Sequence, residues 1–134
     1  MALCAACRRV ASASTERERV VMARSLTLSN GVALPTVGFG CAGRLGSTPL
    51  GQALDAGYAL FDTAQANEWY DEAALGQALR ETSSNRSSLF LTSKLHPRDL
   101  GEQPTLDAFP ASLRRLGTTY LDAFLLHYPR CFGS

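Results

Sequence analysis

The chain alternates short apolar segments with longer segments in which apolar residues recur every three or four positions. The short segments have the length of strands, and the longer segments have the period of amphipathic helices. The predicted strands are residues 36–40, 58–64, 89–93 and 120–126. The predicted helices are residues 48–56, 71–81 and 104–116. Strands that alternate with helices predict an α/β fold with a parallel sheet and helices on its outside.

A β-hairpin is predicted ahead of the first of these strands. Asn30-Gly31 separates two short apolar runs at 26–28 and 32–34. Asn-Gly is a strong hairpin signal because both residues tolerate a positive φ. Pro35 ends the second run, since proline cannot donate a hydrogen bond to a neighbouring strand.

The third predicted helix contains Pro110. The apolar residues that share one face of this helix are Leu106, Phe109, Leu113 and Leu116. A proline inside a helix removes a hydrogen bond and costs about 3 kcal/mol. We therefore expect a helix that either begins at Pro110 or is kinked there.

Length and composition are those of a globular protein. The 134 residues suit one domain, and 46% hydrophobic residues with 19% charged residues exclude a disordered chain. A net charge of +1 predicts no nucleic-acid partner, and no apolar run is long enough to span a membrane. Cys4 and Cys7 form a Cys-x-x-Cys pair without a second pair at zinc spacing. We therefore expect no metal site and a reducing compartment.

Residues 1–24 differ in composition from the rest of the chain. The first fifteen residues contain Arg8 and Arg9 but no acidic residue, which is typical of a transit peptide. Glu16 and Glu18 then depart from that composition. We expect either a disordered leader on a cytoplasmic protein or a transit peptide for a plastid or mitochondrion. One domain follows over residues 25–134.

Four ionisable residues follow the ends of predicted strands. Asp62 ends the apolar run at 58–61, and Tyr70 follows at the entrance of the next helix. Lys94 and His127 close the next two strands. Each residue alone has an ordinary explanation as a cap, a packed ring or a solvated strand end. Because the carboxyl ends of barrel strands meet at one rim, the four together predict an active site in a (β/α) barrel.

A dinucleotide-binding Rossmann half is the alternative parallel architecture. Gly38, Gly40 and Gly43 match its G-x-G-x-x-G motif, and an aspartate, Asp62, lies about 20 residues further on. The motif requires a helix that begins within the glycines and directs its amino end at the pyrophosphate. Here the helix is predicted to begin only near Thr48, so the barrel is favoured.

The sequence resembles the aldo-keto reductases over residues 25–130, with the similar segments in the family's order. These segments include LSNG at 28–31, VGFG at 37–40, FDTA at 61–64, TSK at 92–94 and HYP at 127–129. The resemblance implies the amino-terminal half of a (β/α)8 TIM barrel, with the hairpin and the first four strands. It also implies an NADP(H)-dependent oxidoreductase that reduces the carbonyl group of a small molecule to an alcohol.

The resemblance also implies a catalytic role for each strand-end residue. Tyr70 would donate a proton to the carbonyl oxygen as the cofactor delivers hydride. Lys94 would stabilise the phenolate that remains, and Asp62 would pair with Lys94 and hold it. His127 would form a hydrogen bond with the substrate carbonyl and orient it.

Further contacts follow from the same resemblance. Gly40, Cys41 and Asp62 would contact NADP(H), although the family commonly has threonine where this chain has Cys41. Trp69 and His127 would contact the substrate. These residues lie at the same predicted strand ends as the catalytic set.

The chain departs from the family pattern in the position of the tyrosine. The family's tyrosine usually follows the aspartate by five residues, and that position is Asn67 here. Tyr70 follows Asp62 by eight residues and directly precedes the helix at 71–81. Because the family's tyrosine also precedes this helix, the resemblance assigns the role to Tyr70.

The chain is also shorter than the family's barrel. An eight-stranded barrel takes about 250 residues, and most cofactor contacts in the family come from its second half. We therefore expect a truncated chain that lacks much of the NADP(H) site and has no reductase activity alone. Two other interpretations remain. One is a non-catalytic half-barrel that binds a partner or self-associates through open sheet edges, and the other is the Rossmann-type fragment.

Overall fold

The computed structural model describes residues 24–129. The predicted leader, apart from Arg24, and the Cys4–Cys7 pair lie outside the described residues. The strands are β1 Ser25–Thr27, β2 Ala33–Pro35, β3 Gly38–Gly40, β4 Leu60–Asp62, β5 Phe90–Leu95 and β6 Ala123–Leu126. The helices are α1 Ser47–Asp55, α2 Glu72–Glu81 and α3 Glu102–Leu116, with short 3-10 turns at Arg86–Ser88 and Pro97–Asp99. This order confirms the predicted hairpin followed by alternating strands and helices.

The predicted hairpin is the antiparallel pair β1–β2, in which Leu26 lies opposite Leu34. Gly31 has a φ of 82° in the turn, and Asn30 Oδ1 accepts a hydrogen bond from the Val32 amide at 3.1 Å. The hairpin lines a cavity of about 350 Å³ together with residues that precede β4 and β5. It therefore lies at the amino ends of the main strands, away from the predicted site.

The remaining strands form one parallel sheet in the order β3-β4-β5-β6. Gly40, Asp62 and Thr92 lie side by side across the first three strands, and Lys94 lies beside Leu125. Each strand therefore pairs with the next strand in the chain, as in a barrel. In the Rossmann order the fourth strand returns to lie beside the first, so the strand order decides against that alternative.

The helix α1 begins at Ser47, and Gly46 is its N-cap without a side-chain hydrogen bond. The prediction of a start near Thr48 is therefore one residue late. A loop still separates β3 from this helix, so the glycines of the G-x-G-x-x-G motif, Gly38, Gly40 and Gly43, do not form the entrance of α1. The residues that α1 buries are the predicted ones, Leu50, Ala53 and Leu54.

The helices α2 and α3 approach each other closely at Gly76. A Cβ added at Gly76 would overlap the carbonyl oxygen of Arg115 and would lie 2.9 Å from the Cα of Leu116. Near this contact, α2 also buries the side chains of Leu75 and Ala78. A side chain at position 76 would therefore push the two helices apart, because the nearest atoms belong to the backbone.

The helix α3 continues through Pro110 from Glu102 to Leu116. The expectation that this helix could begin at Pro110 is therefore wrong. Its first turn contains Pro104 instead, where the amide has no partner inside the helix and a proline loses no hydrogen bond. Of the predicted apolar face, Leu116 is buried, whereas Leu106 is 58% exposed.

A polar cluster joins the amino ends of β5 and β6. The Arg86 guanidinium donates hydrogen bonds to the carbonyl oxygens of Leu89 at 2.8 Å and Tyr120 at 3.0 Å. It also donates to Asp122 Oδ2 at 2.8 Å, and the same oxygen accepts the Leu91 amide at 2.8 Å. These bonds stabilise the end of the sheet that lies opposite the predicted site.

The last strand of the described sheet, β6, is unevenly buried. Phe124 packs edge-on against Phe109 of α3, with ring centroids 5.1 Å apart. Leu125 and Leu126 are 48% and 63% exposed. Because successive side chains point to opposite faces of a strand, β6 presents apolar surface on both faces of the sheet.

Candidate active site

Three of the predicted catalytic residues lie at the carboxyl ends of adjacent strands: Asp62 ends β4, Lys94 is in β5 and His127 follows β6. Lys94 Nζ donates hydrogen bonds to Asp62 Oδ2 at 2.8 Å and to the Thr63 carbonyl oxygen at 3.0 Å. The Lys94 side chain is 14% exposed and the Asp62 side chain is 44% exposed. The ion pair is therefore enclosed on the lysine side and open to solvent on the aspartate side.

Tyr70 reaches the same place from the loop between β4 and α2. Its ring centroid lies 5.1 Å from Lys94 Nζ, and its ring meets the His127 ring edge-on at a centroid distance of 5.6 Å. The structure thus brings all four predicted catalytic residues together at one rim. A phenol, an ammonium, a carboxylate and an imidazole at one rim can support proton transfer to a bound carbonyl group.

Backbone hydrogen bonds fix the loop that carries Tyr70. The Trp69 carbonyl oxygen accepts hydrogen bonds from the amides of Gly43 at 2.8 Å and Arg44 at 3.0 Å, and the Tyr70 amide donates to the Ala66 carbonyl at 2.9 Å. Gly43 has a φ of 98° and Arg44 a φ of 52°. The glycine-rich loop after β3 therefore turns back to support the tyrosine loop.

Asn67, five residues after Asp62, is exposed, whereas Tyr70 is half-buried. Asn67 and Tyr70 both line a cavity of about 150 Å³, and Asn67 also lines one of about 170 Å³ with Arg98 and Ala108, next to α3. Asparagine has no acidic proton to donate, whereas the Tyr70 ring centroid lies 5.1 Å from Lys94 Nζ. The geometry therefore favours Tyr70 over Asn67 as the position that corresponds to the family's tyrosine.

His127 is held by a neighbouring ring and lacks a polar contact on one nitrogen. Its ring stacks on Tyr128 at a centroid distance of 4.5 Å. Its Nδ1 is buried and has no hydrogen-bond partner among residues 24–129. Burial lowers the pKa of His127, and the nearby Lys94 and His96 lower it further, against a smaller opposite effect of the Asp62 carboxylate. At neutral pH the imidazole is therefore neutral and can donate one hydrogen bond.

The lowered pKa of His127 predicts a loss of stability in mild acid. The contribution of His127 is full above the unfolded pKa of about 6.5 and is lost as the pH falls toward the folded pKa, because the unfolded chain then binds more protons. We expect the free energy of urea unfolding to fall between about pH 7.5 and pH 5.5. The fall should be smaller in His127→Gln. An identical pH dependence in both proteins would contradict the lowered pKa.

The two residues after β3 that were predicted to contact a cofactor differ in exposure. Gly40 is exposed, and nothing lies within 4 Å of the position of an added Cβ. Cys41 is 2% exposed. Burial and the nearby charge of Asp62 raise the pKa of the Cys41 thiol to about 12. The structure therefore leaves room for a ligand at Gly40, whereas it directs the Cys41 thiol into the core.

Trp69 lies beside Tyr70 in the chain and is 65% exposed. Its backbone is fixed by the two hydrogen bonds described above, so its ring projects from a supported loop. Aromatic side chains commonly line the apolar part of small-molecule sites. The predicted substrate contact by Trp69 stays a prediction that this exposure permits.

Two polar residues near the site are not singled out by the sequence. Gln65 is 7% exposed, and its side chain donates to the Ala108 carbonyl at 2.9 Å and to Ser112 Oγ at 2.8 Å. Its amide oxygen accepts the His96 amide at 3.2 Å. Glu72 is 4% exposed although it opens a helix, where an acidic residue is usually solvated. Their burial depends on partners far away in the sequence.

The model of the family described as aldo/keto reductase matches residues 48–132, which is more than half of the chain. The chain belongs to the aldo/keto reductase family. An aldo-keto reductase of Mycolicibacterium vanbaalenii is 41% identical to it over 109 residues. That match covers 78% of this chain and 38% of the relative.

Solved aldo-keto reductase structures share the fold. The aldo/keto reductase from Brucella melitensis has a TM-score of 0.73 and 34% identity, over 83% of this chain and 43% of that chain. The Bombyx mori aldo-keto reductase, solved in complex with NADP, has a TM-score of 0.73 and 29% identity, over 81% and 39%. These matches confirm the predicted family and the partial TIM-barrel fold. This chain spans about two fifths of the length of the aldo-keto reductases it matches.

Residues 24–129 contain no group of three or more histidine, cysteine, aspartate or glutamate side chains that could hold a metal ion. None of the described helices combines the length and the apolar character that crossing a membrane requires.

Proposed function

We propose that this chain supplies the proton-transfer site of an oxidoreductase that reduces carbonyl groups with NADP(H). The observation that supports this best is the Lys94 ammonium, which bonds to Asp62 at 2.8 Å and lies 5.1 Å from the centre of the Tyr70 ring. A phenol is a weak acid at neutral pH, so it needs a nearby positive charge to stabilise the phenolate that it leaves.

In the proposed reaction the residues of this chain move and hold a proton. When bound, NADPH supplies the hydride that adds to the carbonyl carbon. The Tyr70 hydroxyl donates its proton to the carbonyl oxygen, which becomes the hydroxyl of the alcohol. The resulting phenolate lies beside Lys94, and Asp62 keeps that ammonium in place. The neutral His127 donates a hydrogen bond to the carbonyl oxygen and fixes its direction.

The described residues fit the nicotinamide end of NADP(H). Gly40 leaves an open position at the rim, and the Asp62 side chain beside it is 44% exposed. We propose that Gly40, Asp62 and the backbone of Cys41 line this end of the cofactor. The NADP bound in the Bombyx mori relative supports the choice of cofactor.

The proposed substrate is a small molecule with a carbonyl group. Trp69 is 65% exposed beside Tyr70, and His127 lies at the same rim. Trp69 would pack against the apolar part of the substrate, while His127 would contact its carbonyl oxygen. A substrate with an aromatic or aliphatic group next to the carbonyl suits this pair.

Binding of NADPH to the 134-residue chain tests the proposed function. NADPH fluorescence is titrated, and the same sample is analysed by size-exclusion chromatography. The proposed function requires saturable binding that is lost in Asp62→Asn and in Lys94→Met. Asp55→Asn is the matched control, because it makes the same change at an exposed position of α1. A folded chain that does not bind, or binding that survives Asp62→Asn, would contradict the proposal.

A second candidate function is a non-catalytic half-barrel that associates with itself. The exposure of Leu125 at 48% and Leu126 at 63% on β6 favours it. We expect light scattering to show a defined dimer that Leu126→Glu dissociates. Leu26→Glu is the control, because Leu26 is 61% exposed in the hairpin, at the opposite end of the sheet from the rim. A monomer at all concentrations tested would exclude this function.

The domain limits and the compartment are also proposals. We propose that residues 25–134 form the amino-terminal half of an aldo-keto reductase barrel and that residues 1–24 are a leader. The protein would be cytoplasmic, or would enter a plastid or mitochondrion if the leader is a transit peptide. Fusing residues 1–24 to a fluorescent protein tests this, since import would remove the fusion from the cytoplasm.

A further inference from the structure

Glu72 carries a carboxylate that is almost completely buried and fully hydrogen-bonded. The residue is 4% exposed in the first turn of α2. One oxygen accepts a hydrogen bond from Ser93 Oγ at 2.6 Å. The other accepts from Ser112 Oγ at 3.2 Å and from Arg115 Nε at 2.7 Å. These four residues, here called the Glu72 cluster, join α2, β5 and α3.

The Glu72 cluster lies next to the proposed proton-transfer site in two segments of the chain, the strand β5 and the start of α2. Ser93 directly precedes Lys94 in β5, and Glu72 follows Tyr70 by two residues. Side chains alternate along a strand, so Ser93 faces the helices while Lys94 faces Tyr70. The hydrogen bond between Glu72 and Ser93 therefore connects the segment that carries Tyr70 to the strand that carries Lys94. It lies on the opposite side of β5 from the contact between Tyr70 and Lys94.

Tyr70 lies between two fixed points of the backbone. On its amino side, the Trp69 carbonyl accepts the amides of Gly43 and Arg44. On its carboxyl side, Asp71 caps α2 by accepting the Ala74 amide at 2.9 Å, and Glu72 is held in its cluster. A short segment with both ends fixed has few alternative conformations. A change at Glu72 should therefore move Tyr70 before it affects more distant residues.

We propose that Glu72 is a positioning residue that sets the place of the Tyr70 ring relative to Lys94. The importance of this role for catalysis rests on the proposed function, whereas the role in placing the ring does not. An uncharged amide at position 72 cannot accept from Ser93 on one oxygen and from Ser112 and Arg115 on the other. The cluster would then rearrange, and the start of α2 would shift relative to β5.

Changes in the surroundings of the Tyr70 ring can be followed in the full chain. The four tyrosines are labelled with 3-fluorotyrosine, and the Tyr70 resonance is identified by its absence from Tyr70→Phe. We expect Glu72→Gln to shift or broaden the Tyr70 fluorine resonance while the Tyr58 resonance stays in place. An unchanged Tyr70 resonance in folded Glu72→Gln would overturn the proposal.

Asp122→Asn is the matched control for this experiment. It makes the same acid-to-amide change in the polar cluster at the amino ends of the strands, where Asp122 bonds to Arg86 at 2.8 Å. Arg86 also lies 3.8 Å from the centre of the Tyr120 ring. We therefore expect Asp122→Asn to shift the Tyr120 resonance and to leave Tyr70 in place. If Glu72→Gln and Asp122→Asn each shift both the Tyr70 and the Tyr120 resonance, the cause is a general loss of stability. That result would overturn the specific role of Glu72.

A milder variant keeps the test decisive if Glu72→Gln does not fold. Ser93→Ala removes only the 2.6 Å hydrogen bond to Glu72, and it should shift the Tyr70 resonance in the same direction. An unchanged resonance in Ser93→Ala would then overturn the proposal. In a sample that reduces an aldehyde, kcat should fall about tenfold or more while the KM for NADPH stays within about twofold. A wild-type chain without turnover, which the shortened barrel predicts, concerns the proposed function alone, because the fluorine resonance needs no reaction.

Discussion

In a sample that shows the proposed NADPH-dependent carbonyl reduction, replacing Tyr70 with phenylalanine is expected to lower the rate by roughly 10²–10⁴-fold, the usual effect of removing a general acid. Phenylalanine keeps the ring that lies against His127 and Lys94 and removes only the hydroxyl. The loss should appear in kcat, because the hydroxyl acts when the proton is transferred. The rate is measured from the absorbance of NADPH with a small aldehyde, on a sample that has been shown to bind NADPH.

Two other variants make this measurement specific. Tyr120→Phe removes a hydroxyl from the opposite end of the sheet, where the Tyr120 ring packs against Arg86, and it should keep the full rate. Asn67→Ala tests the position five residues after Asp62, where the family usually has its tyrosine, and it should also keep most of the rate. A full rate in Tyr70→Phe, or a loss as large in Asn67→Ala, would contradict the assignment of the proton donor.

Replacing Gly76 with alanine is expected to lower the free energy of unfolding by about 1–3 kcal/mol, the usual cost of overpacking. The added Cβ would overlap the carbonyl oxygen of Arg115 and lie 2.9 Å from the Cα of Leu116. Backbone atoms cannot turn aside as a side chain can, so α2 and α3 must separate. Because α2 and α3 also enclose the Glu72 cluster, the separation should weaken that cluster as well.

Gly51→Ala is the matched control for Gly76→Ala. Gly51 lies within α1, and nothing is found within 4 Å of the position of its added Cβ. Alanine stabilises a helix interior relative to glycine by about 0.5–1 kcal/mol. The same substitution should therefore raise the free energy of urea unfolding in α1 and lower it in α2. Equal changes in the two variants would show that the helix contact at Gly76 is not as close as described.

The places of Asp62, Lys94 and His127 could be predicted from the sequence because they depend on local pattern. Each residue ends or directly follows an apolar segment, and a parallel sheet brings the carboxyl ends of its strands to one edge. The role of proton donor could be predicted for Tyr70 only from its position before a helix. Its contact with Lys94 and His127 comes from the structure, because the course of a loop does not follow from periodicity.

The burial of Glu72 could not be predicted, because it depends on residues distant in the sequence. Its partners Ser93 and Arg115 are 21 and 43 positions away, and an acidic residue in a first helical turn is usually solvated. The course of α3 through Pro110 is a second example. Local propensity predicts an interruption there, whereas the structure shows one helix from Glu102 to Leu116.

The exposed ring of Trp69 gives this protein a built-in optical probe. It is the one tryptophan of the 134-residue chain, and it is 65% exposed beside Tyr70. Its emission should already resemble that of a hydrated indole in the folded state, so unfolding would change it little and is better followed by circular dichroism. The dihydronicotinamide of NADPH, which absorbs where indole emits, would instead accept energy from the excited indole if it were bound at the rim. Quenching of tryptophan emission would therefore report occupancy of the rim without any label.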